Sequence, residues 1–315
     1  MSSNAKGAVF ALLAFAIFST HDVIIKVLGS TYSPIQIVFF SVLFSFPLAA
    51  MSLLRDTTQG TLLPRHPYWM MVRTVAAVMT GFSAFYAFSV LPLAQVYAIV
   101  FASPLLITLL AIPILGEQVK LRRWLAVIVG LCGVLIVLRP GQTDLGLGHF
   151  AAMTAAICGA ISSIVVRKIG REERTVVIML YPMMANFFVM GALLVTVYKP
   201  MPIEHLAGIA VIAVFAWVAG RFLIAAYNSG EAVVVAPMQY SQIIWATIFG
   251  ALFFREYPDI ATILGASVII ASGLYIVMRE SRSSDSETPV LRTRSRPETG
   301  TTLRISGFLW SKKDK

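Results

Sequence analysis

Up to Arg279, most polar residues in this chain lie in short interruptions between long apolar blocks. Ten blocks recur, at about 7–28, 34–54, 69–90, 93–115, 121–138, 147–166, 176–198, 205–228, 231–254 and 260–278. Each falls in the roughly 17–25 residues that a helix needs to cross the hydrocarbon core of a bilayer. The pattern predicts an all-α integral membrane protein with ten transmembrane helices. Connections are short, and "LP" (Leu91, Pro92) and "SG" (Ser229, Gly230) nearly fuse two pairs of helices into hairpins. Beyond Arg279 the pattern stops. "RESRSSDSETPVLRTRSRPETGTTLR" has too little apolar surface to order itself, so 280–315 is expected to be a disordered tail.

Composition agrees with this. Hydrophobic residues make up 58% of the chain and charged residues 13%, against about 45–50% and about 25% in soluble domains. A net charge of +10 could point to nucleic acid. The basic residues instead collect at block ends and in the tail, which fits orientation in a bilayer and no nucleic-acid partner. One side carries Lys6, Arg55, Arg65, Arg73, Lys120, Arg122, Arg123, Arg167, Lys168, Arg171, Arg174 and the tail; the other has Lys26, Arg139, Lys199 and Arg255. Ten crossings return the chain to its starting side, so both termini are expected in the cytoplasm, with the protein in the cytoplasmic (inner) membrane. Cys132 and Cys158 form no CxxC pair, which disfavours a zinc site or disulfide framework. "GLGHFA" (Gly146 to Ala151) follows no strand, and neither a Walker A sequence nor HExxH is present. No cofactor or metal is expected.

The chain repeats itself. "AFSVLPLAQVYAIVFASPLLITLLAIPILGEQVKLRRWLAVIVGLCGVLIVLR" from Ala87 matches "AYNSGEAVVVAPMQYSQIIWATIFGALFFREYPDIATILGASVIIASGLYIVMR" from Ala226. A shift of 139 aligns Glu117 with Glu256 and Thr108 with Thr247. Each unit holds five spans, an odd number, so the second copy enters the membrane from the opposite side. This divides the chain into 1–140, 141–279 and the tail, with a substrate site expected near the midplane between the halves.

The first of these segments resembles the EamA module of the drug/metabolite transporter superfamily. An Ala-aromatic helix end, "SPL" (Ser103 to Leu105), "GE" (Gly116, Glu117) and a Gly-rich closing span carry the likeness, and the second half is a looser copy with "RE" (Arg255, Glu256). The resemblance covers about 7–278. It implies ten helices in two inverted five-helix repeats and transport of a small organic metabolite. Where the family often has a second-span arginine, "FFSVLF" carries Ser41. "STHDVIIK" in the first span is similar to members that take up riboflavin or S-adenosylmethionine. Related members export amino acids or opine-type metallophores.

Ionisable residues within spans are costly and mark candidate sites. "FSTHDVIIKVL" (Phe18 to Leu28) places His21, Asp22 and Lys26 inside the first block. Asp22 and Lys26 are four apart, so their side chains can meet on one helix face. His21 lies about 100° around the helix from Asp22, with no partner nearby in sequence. His21 or Asp22 facing a wet cavity would bind substrate or exchange a proton. Arg221, deep in the eighth block, is expected to face the interior and hold a carboxylate or carbonyl of a substrate, or to pair with Asp22 or Glu231. Gln95 and Tyr97 in the fourth block, and Gln239, Tyr240, Gln242 and Trp245 in the ninth, occupy related parts of the two repeats. With Tyr86, Tyr181, Asn186 and Trp217 they suit a flat heterocycle or aromatic amino acid, or ordinary packing. The candidate substrate-binding set is His21, Asp22, Gln95, Tyr97, Arg221, Gln239, Tyr240 and Trp245. Pro47, Pro104, Pro113, Pro182 and Pro237 are expected to kink spans.

The reading is a secondary transporter, not an enzyme, working by alternating access. Its partners are a small-molecule substrate and the bilayer, as a monomer or homodimer. Riboflavin uptake leads; S-adenosylmethionine uptake and amino-acid or metabolite export are the alternatives. An integral-membrane enzyme acting on lipid-linked substrates is the competing class, and the short loops argue against it.

Overall fold

The computed structural model describes residues 3–54, 61–116, 121–140, 145–170, 172–230 and 232–282. Most predicted blocks are single helices: α1 (Ser3–Gly29), α2 (Pro34–Leu54), α3 (Pro67–Val90), then α6 (Leu121–Leu138), α7 (Leu147–Ile169), α8 (Thr175–Val197), α9 (Ile203–Ser229) and α12 (Ile260–Arg282). The fourth block is two helices, α4 (Leu93–Val100) and α5 (Ser103–Leu115). The ninth is also broken: α10 (Ala232–Val235), a 3₁₀ turn over Ala236–Tyr240, α11 (Ser241–Phe249) and a π-helical turn over Gly250–Phe254. Among the described residues, seven helices are long and apolar enough to cross a membrane, counting Leu93–Leu115 as one. Trp124–Leu138 and Ile260–Ile276 are shorter apolar helices, and the broken ninth block completes ten.

Proline placement explains the two breaks. Pro104 opens α5, and Pro237 lies in the 3₁₀ turn. Proline lacks an N–H and collides with the carbonyl four residues earlier, so a helix interrupts there. Pro47, Pro113 and Pro182 sit inside unbroken helices; breaks occur at Pro104 and Pro237. The breaks are related by the repeat: adding 139 to Phe101 gives Tyr240. Their rings meet edge to face, 5.2 Å apart at 82°. The two fourth spans therefore cross where each is broken.

Helix pairing follows the exchange that inverted repeats require. α1, first span of the first unit, packs along α9, third span of the second; α3 and α7 pair the same way with the roles reversed. The two closing spans, α6 and α12, pack on each other. Small residues make these pairs close. A Cβ on Gly133 would lie 2.9 Å from the Gly265 carbonyl oxygen, and one on Gly265 would lie 2.6 Å from that of Gly133, so only glycine permits this crossing. Ala152, Ala156 and Ala160 are buried along α7, where small residues let neighbouring helices approach. The buried core gathers round α4, with Phe88, Tyr97, Ile99, Phe101 and Tyr240 at its centre.

Candidate functional site

Three helices bring polar side chains to one place inside this core. α1 supplies His21 and Asp22, α4 supplies Tyr97 and α11 supplies Gln242. Relative exposures are 2%, 1%, 1% and 4%. His21 Nδ1 lies 2.7 Å from Asp22 Oδ1. The Tyr97 hydroxyl donates to the second carboxylate oxygen of Asp22. Gln242 Nε2 donates to the Tyr97 hydroxyl at 3.2 Å. A buried carboxylate is tolerable only when hydrogen-bonded or paired, and here a chain of donors converges on it. The expectation that His21 has no close partner is corrected. Neighbouring residues on a helix diverge at Cα, but the short Asp22 side chain and the imidazole turn towards each other. Phe85 of α3 closes the other flank, its ring edge-on to His21 at 6.2 Å.

Lys26 is one turn further along the same helix, and its ammonium reaches the second repeat. Its ammonium pairs with Glu256 Oε1 at 2.9 Å, donates to the Leu91 carbonyl and lies 5.2 Å from the Phe254 ring centroid. The i, i+4 spacing permits a pair with Asp22, and the structure adds a tertiary partner from the second repeat that the spacing did not announce. Lys26 is buried and Glu256 is 26% exposed. This contact ties α1 to the turn before α12 and to the turn between α3 and α4. Other cross-repeat ties share this side: Arg139 to Asp259, Tyr32 to His205 Nδ1 at 2.6 Å, and Gln36 to the Lys199 backbone at 2.7 and 2.9 Å. The side where α1 begins has its own ties. The His66 backbone N–H donates to Glu173 at 2.6 Å, and Arg73 donates to the Ile178 carbonyl at 2.6 Å.

The remaining candidates lie apart from the cluster or at its edge. Tyr240 is buried against Phe101, with a hydroxyl lodged over Gly273; a Cβ there would be 2.0 Å from the oxygen. Gln239 is half-buried in the 3₁₀ turn. Trp245 is half-buried and stacked on Phe249 at 5.8 Å. Gln95 bonds His149 at 3.1 Å. Arg221 is exposed, its guanidinium 5.4 Å from the Trp217 ring centroid, which corrects the expectation of an inward-turned arginine. Asp22 is engaged elsewhere, and Glu231 lies outside the described residues. Arg221 is eight residues, about 12 Å, from the end of α9. A lipid-facing arginine at that depth is costly. Asn186 donates to the Pro182 carbonyl of its own helix at 2.9 Å, a packing role. Glu256 was recognisable only as the repeat-mate of Glu117, and its partnership with Lys26 had no local signal.

The EamA-like transporter family model matches the chain twice, over residues 5–139 and 146–278. The chain belongs to the EamA-like transporter family. It is thus a multi-pass membrane transporter protein of ten helices in two repeats. An S-adenosylmethionine uptake transporter of Rickettsia prowazekii is 25% identical over 281 residues, 89% of this chain and 95% of that one. A riboflavin transporter of Rhizobium johnstonii is 26% identical over 280 residues, 88% and 92%. A pseudopaline exporter of Pseudomonas aeruginosa is 26% identical over 278 residues, 84% and 94%. One solved crystal structure shares the fold with a TM-score of 0.56 at 17% identity, covering 89% of this chain and 98% of that one.

Proposed function

We propose that this protein is a secondary transporter of the cytoplasmic membrane that moves a small organic metabolite bearing a positive charge, with S-adenosylmethionine the first compound to test. One observation supports this reading: Asp22 is an acidic side chain buried at the junction of three spans from both repeats, with His21 and the Tyr97 hydroxyl against its two oxygens. A sulfonium or ammonium centre gains most from such a group, because in a low-dielectric interior an unmatched charge is expensive. Residues 1–140 and 141–279 act as two rocking halves around it. The Lys and Arg bias puts the start of α1 in the cytoplasm. The ties at the far end of α1 then lie on the outer side, and those of His66 and Arg73 on the inner side.

Riboflavin is the second reading. The aromatic set Phe88, Tyr97, Phe101 and Tyr240 beside the cluster would suit its flat ring, and a relative of equal similarity is named for it. An uncharged ring draws no ionic attraction from Asp22, which places it second. The test is uptake of labelled S-adenosylmethionine and riboflavin into proteoliposomes, wild type beside Asp22→Asn. Saturable S-adenosylmethionine uptake that Asp22→Asn abolishes is expected. Riboflavin uptake indifferent to Asp22→Asn would overturn the assignment.

A further inference from the structure

Two histidines at the starts of the third spans occupy matching places. The shift of 139 that aligns the repeats carries His66, which caps α3, onto His205, in the first turn of α9. Each grips the loop after the first span of the opposite repeat. His205 Nδ1 meets the Tyr32 hydroxyl at 2.6 Å, with the rings edge to face at 5.4 Å. His66 Nε2 meets Glu172 at 2.6 Å, and its backbone N–H donates to Glu173 at 2.6 Å. Tyr32 and Glu173 also match. Tyr32 is the third residue after Gly29, which ends α1, and Glu173 is the third after Gly170, which caps α7.

The other end of each helix pair has a matching feature too. α1 and α9 touch at Gly7 and Gly230, where a Cβ on Gly7 would lie 2.7 Å from the Gly230 Cα. α7 and α3 touch at Gly148 and Leu91; a Cβ on Gly148 would lie 2.6 Å from a Val90 methyl and 2.8 Å from Leu91 Cγ. Gly7 stands as far before Gly29 as Gly148 before Gly170, and the shift of 139 carries Leu91 onto Gly230. We propose that the crossed pairs, α1 with α9 and α3 with α7, are two oppositely placed levers: each is pinned at a glycine and clasped at a histidine, and transport opens the two clasps in turn. The inference deepens the proposed function and rests on its alternating access and its orientation in the membrane.

The physical argument concerns where the two halves can part. α1 and α3 belong to the first half, α7 and α9 to the second, so both pairs bridge the halves. Each pin is a close contact that only small side chains allow. Each clasp is a few hydrogen bonds between helix ends and loops, and one such bond shifts an equilibrium only about two- to tenfold. The outer clasp is reinforced by Gln36 on the Lys199 backbone and by the Lys199 ammonium on the Thr31 carbonyl at 3.0 Å. Arg73 on the Ile178 carbonyl and Arg174 on the Thr61 carbonyl, at 3.3 Å, reinforce the inner one. The pins sit at opposite ends, Gly7 on the inner side and Gly148 on the outer. Rotation of one half about the line joining the pins parts one clasp and presses the other together. Alternation then follows from geometry, without a separate signal between the two sides. Both clasps are formed in this structure, so each opening begins by breaking one of them.

Met70 and Ile209 are repeat-mates one turn inside the two histidines, and both are buried. Each is changed to cysteine, Met70→Cys or Ile209→Cys, in a Cys132→Ser, Cys158→Ser background. Labelling rates with a membrane-impermeant maleimide are measured on intact cells and on inside-out vesicles. Tyr32→Phe keeps the ring beside His205 and removes only the hydroxyl. It should speed labelling of Ile209→Cys from outside about two- to tenfold and leave Met70→Cys no faster from inside. Glu173→Met removes the acceptor of the His66 N–H at similar side-chain length. It should speed labelling of Met70→Cys from inside by at least as much and leave Ile209→Cys no faster. His205→Ala should reproduce the pattern of Tyr32→Phe, which ties the effect to the clasp. A variant that speeds both reporters has loosened the fold in general, and one that speeds neither, or only the far reporter, shows a clasp without weight; any of these would end the proposal. The same pattern with the faces exchanged would reverse the orientation and leave the levers standing. No substrate is present in these measurements, so a failure of S-adenosylmethionine uptake bears on the substrate assignment alone.

Discussion

Replacing Tyr97 with phenylalanine isolates one hydroxyl at the centre of the proposed site. That oxygen donates to Asp22 and accepts from Gln242. The ring itself is packed against Phe88 at 5.4 Å and Phe101 at 5.7 Å, contacts that phenylalanine preserves. The variant should therefore insert and accumulate normally, since volume-conserving core changes are well tolerated. A hydrogen bond to a charged group contributes about 1.5–3 kcal/mol. Part of that is recovered if Gln242, now without its acceptor, turns its amide to the carboxylate. The net loss should be about 1–2 kcal/mol, which corresponds to roughly a 5- to 30-fold change in an equilibrium constant. Concentration-dependent uptake by proteoliposomes measures it: the half-saturating substrate concentration should rise by that factor at unchanged transporter content. A Tyr97→Phe variant within twofold of wild type beside an inactive Asp22→Asn would refute this role for the hydroxyl. Asp22 would then be oriented without Tyr97.

Three further variants probe packing and the edge of the site. Gly273→Ala would place a Cβ 2.0 Å from the Tyr240 hydroxyl oxygen; a loss of about 1–3 kcal/mol is expected, read as a lower melting temperature in detergent. Tyr240→Phe in the same protein should restore part of it, because the next atom is 3.1 Å away. Arg221→Ala removes an exposed side chain outside the Asp22 cluster, so binding of S-adenosylmethionine should change by less than about twofold; a tenfold loss would bring Arg221 into the site. Ser272→Ala deletes a buried hydroxyl that donates to the Ala126 carbonyl between α12 and α6. Such interhelical bonds in membranes average about 0.6 kcal/mol, so the melting temperature should barely move.

Much of the architecture could be read from hydropathy and register, for a physical reason. A bilayer admits few backbone solutions, so apolar length translates directly into spans. The 34–54 and 121–138 blocks end where α2 and α6 end. Other helices outrun their blocks: α1 begins at Ser3 and α9 at Ile203, because polar residues at the membrane surface extend a helix at no cost. The expected tail lies outside the described residues apart from its first turn in α12. Proline spacing indicated all five weak points equally. Only Pro104 and Pro237 became breaks, where the two fourth spans cross.

The site was legible by residue type and illegible by partner. His21, Asp22 and Tyr97 stand out as polar groups in apolar blocks, and the structure brings them together. Which of them meet was not encoded locally. Helical spacing offered Asp22 to Lys26, yet Glu256, 230 positions away in sequence, receives the ammonium. Depth misled for Arg221, because burial in a span and burial in the protein are different quantities. A residue at midspan can face lipid, water or another helix, and only the arrangement of neighbouring helices decides which.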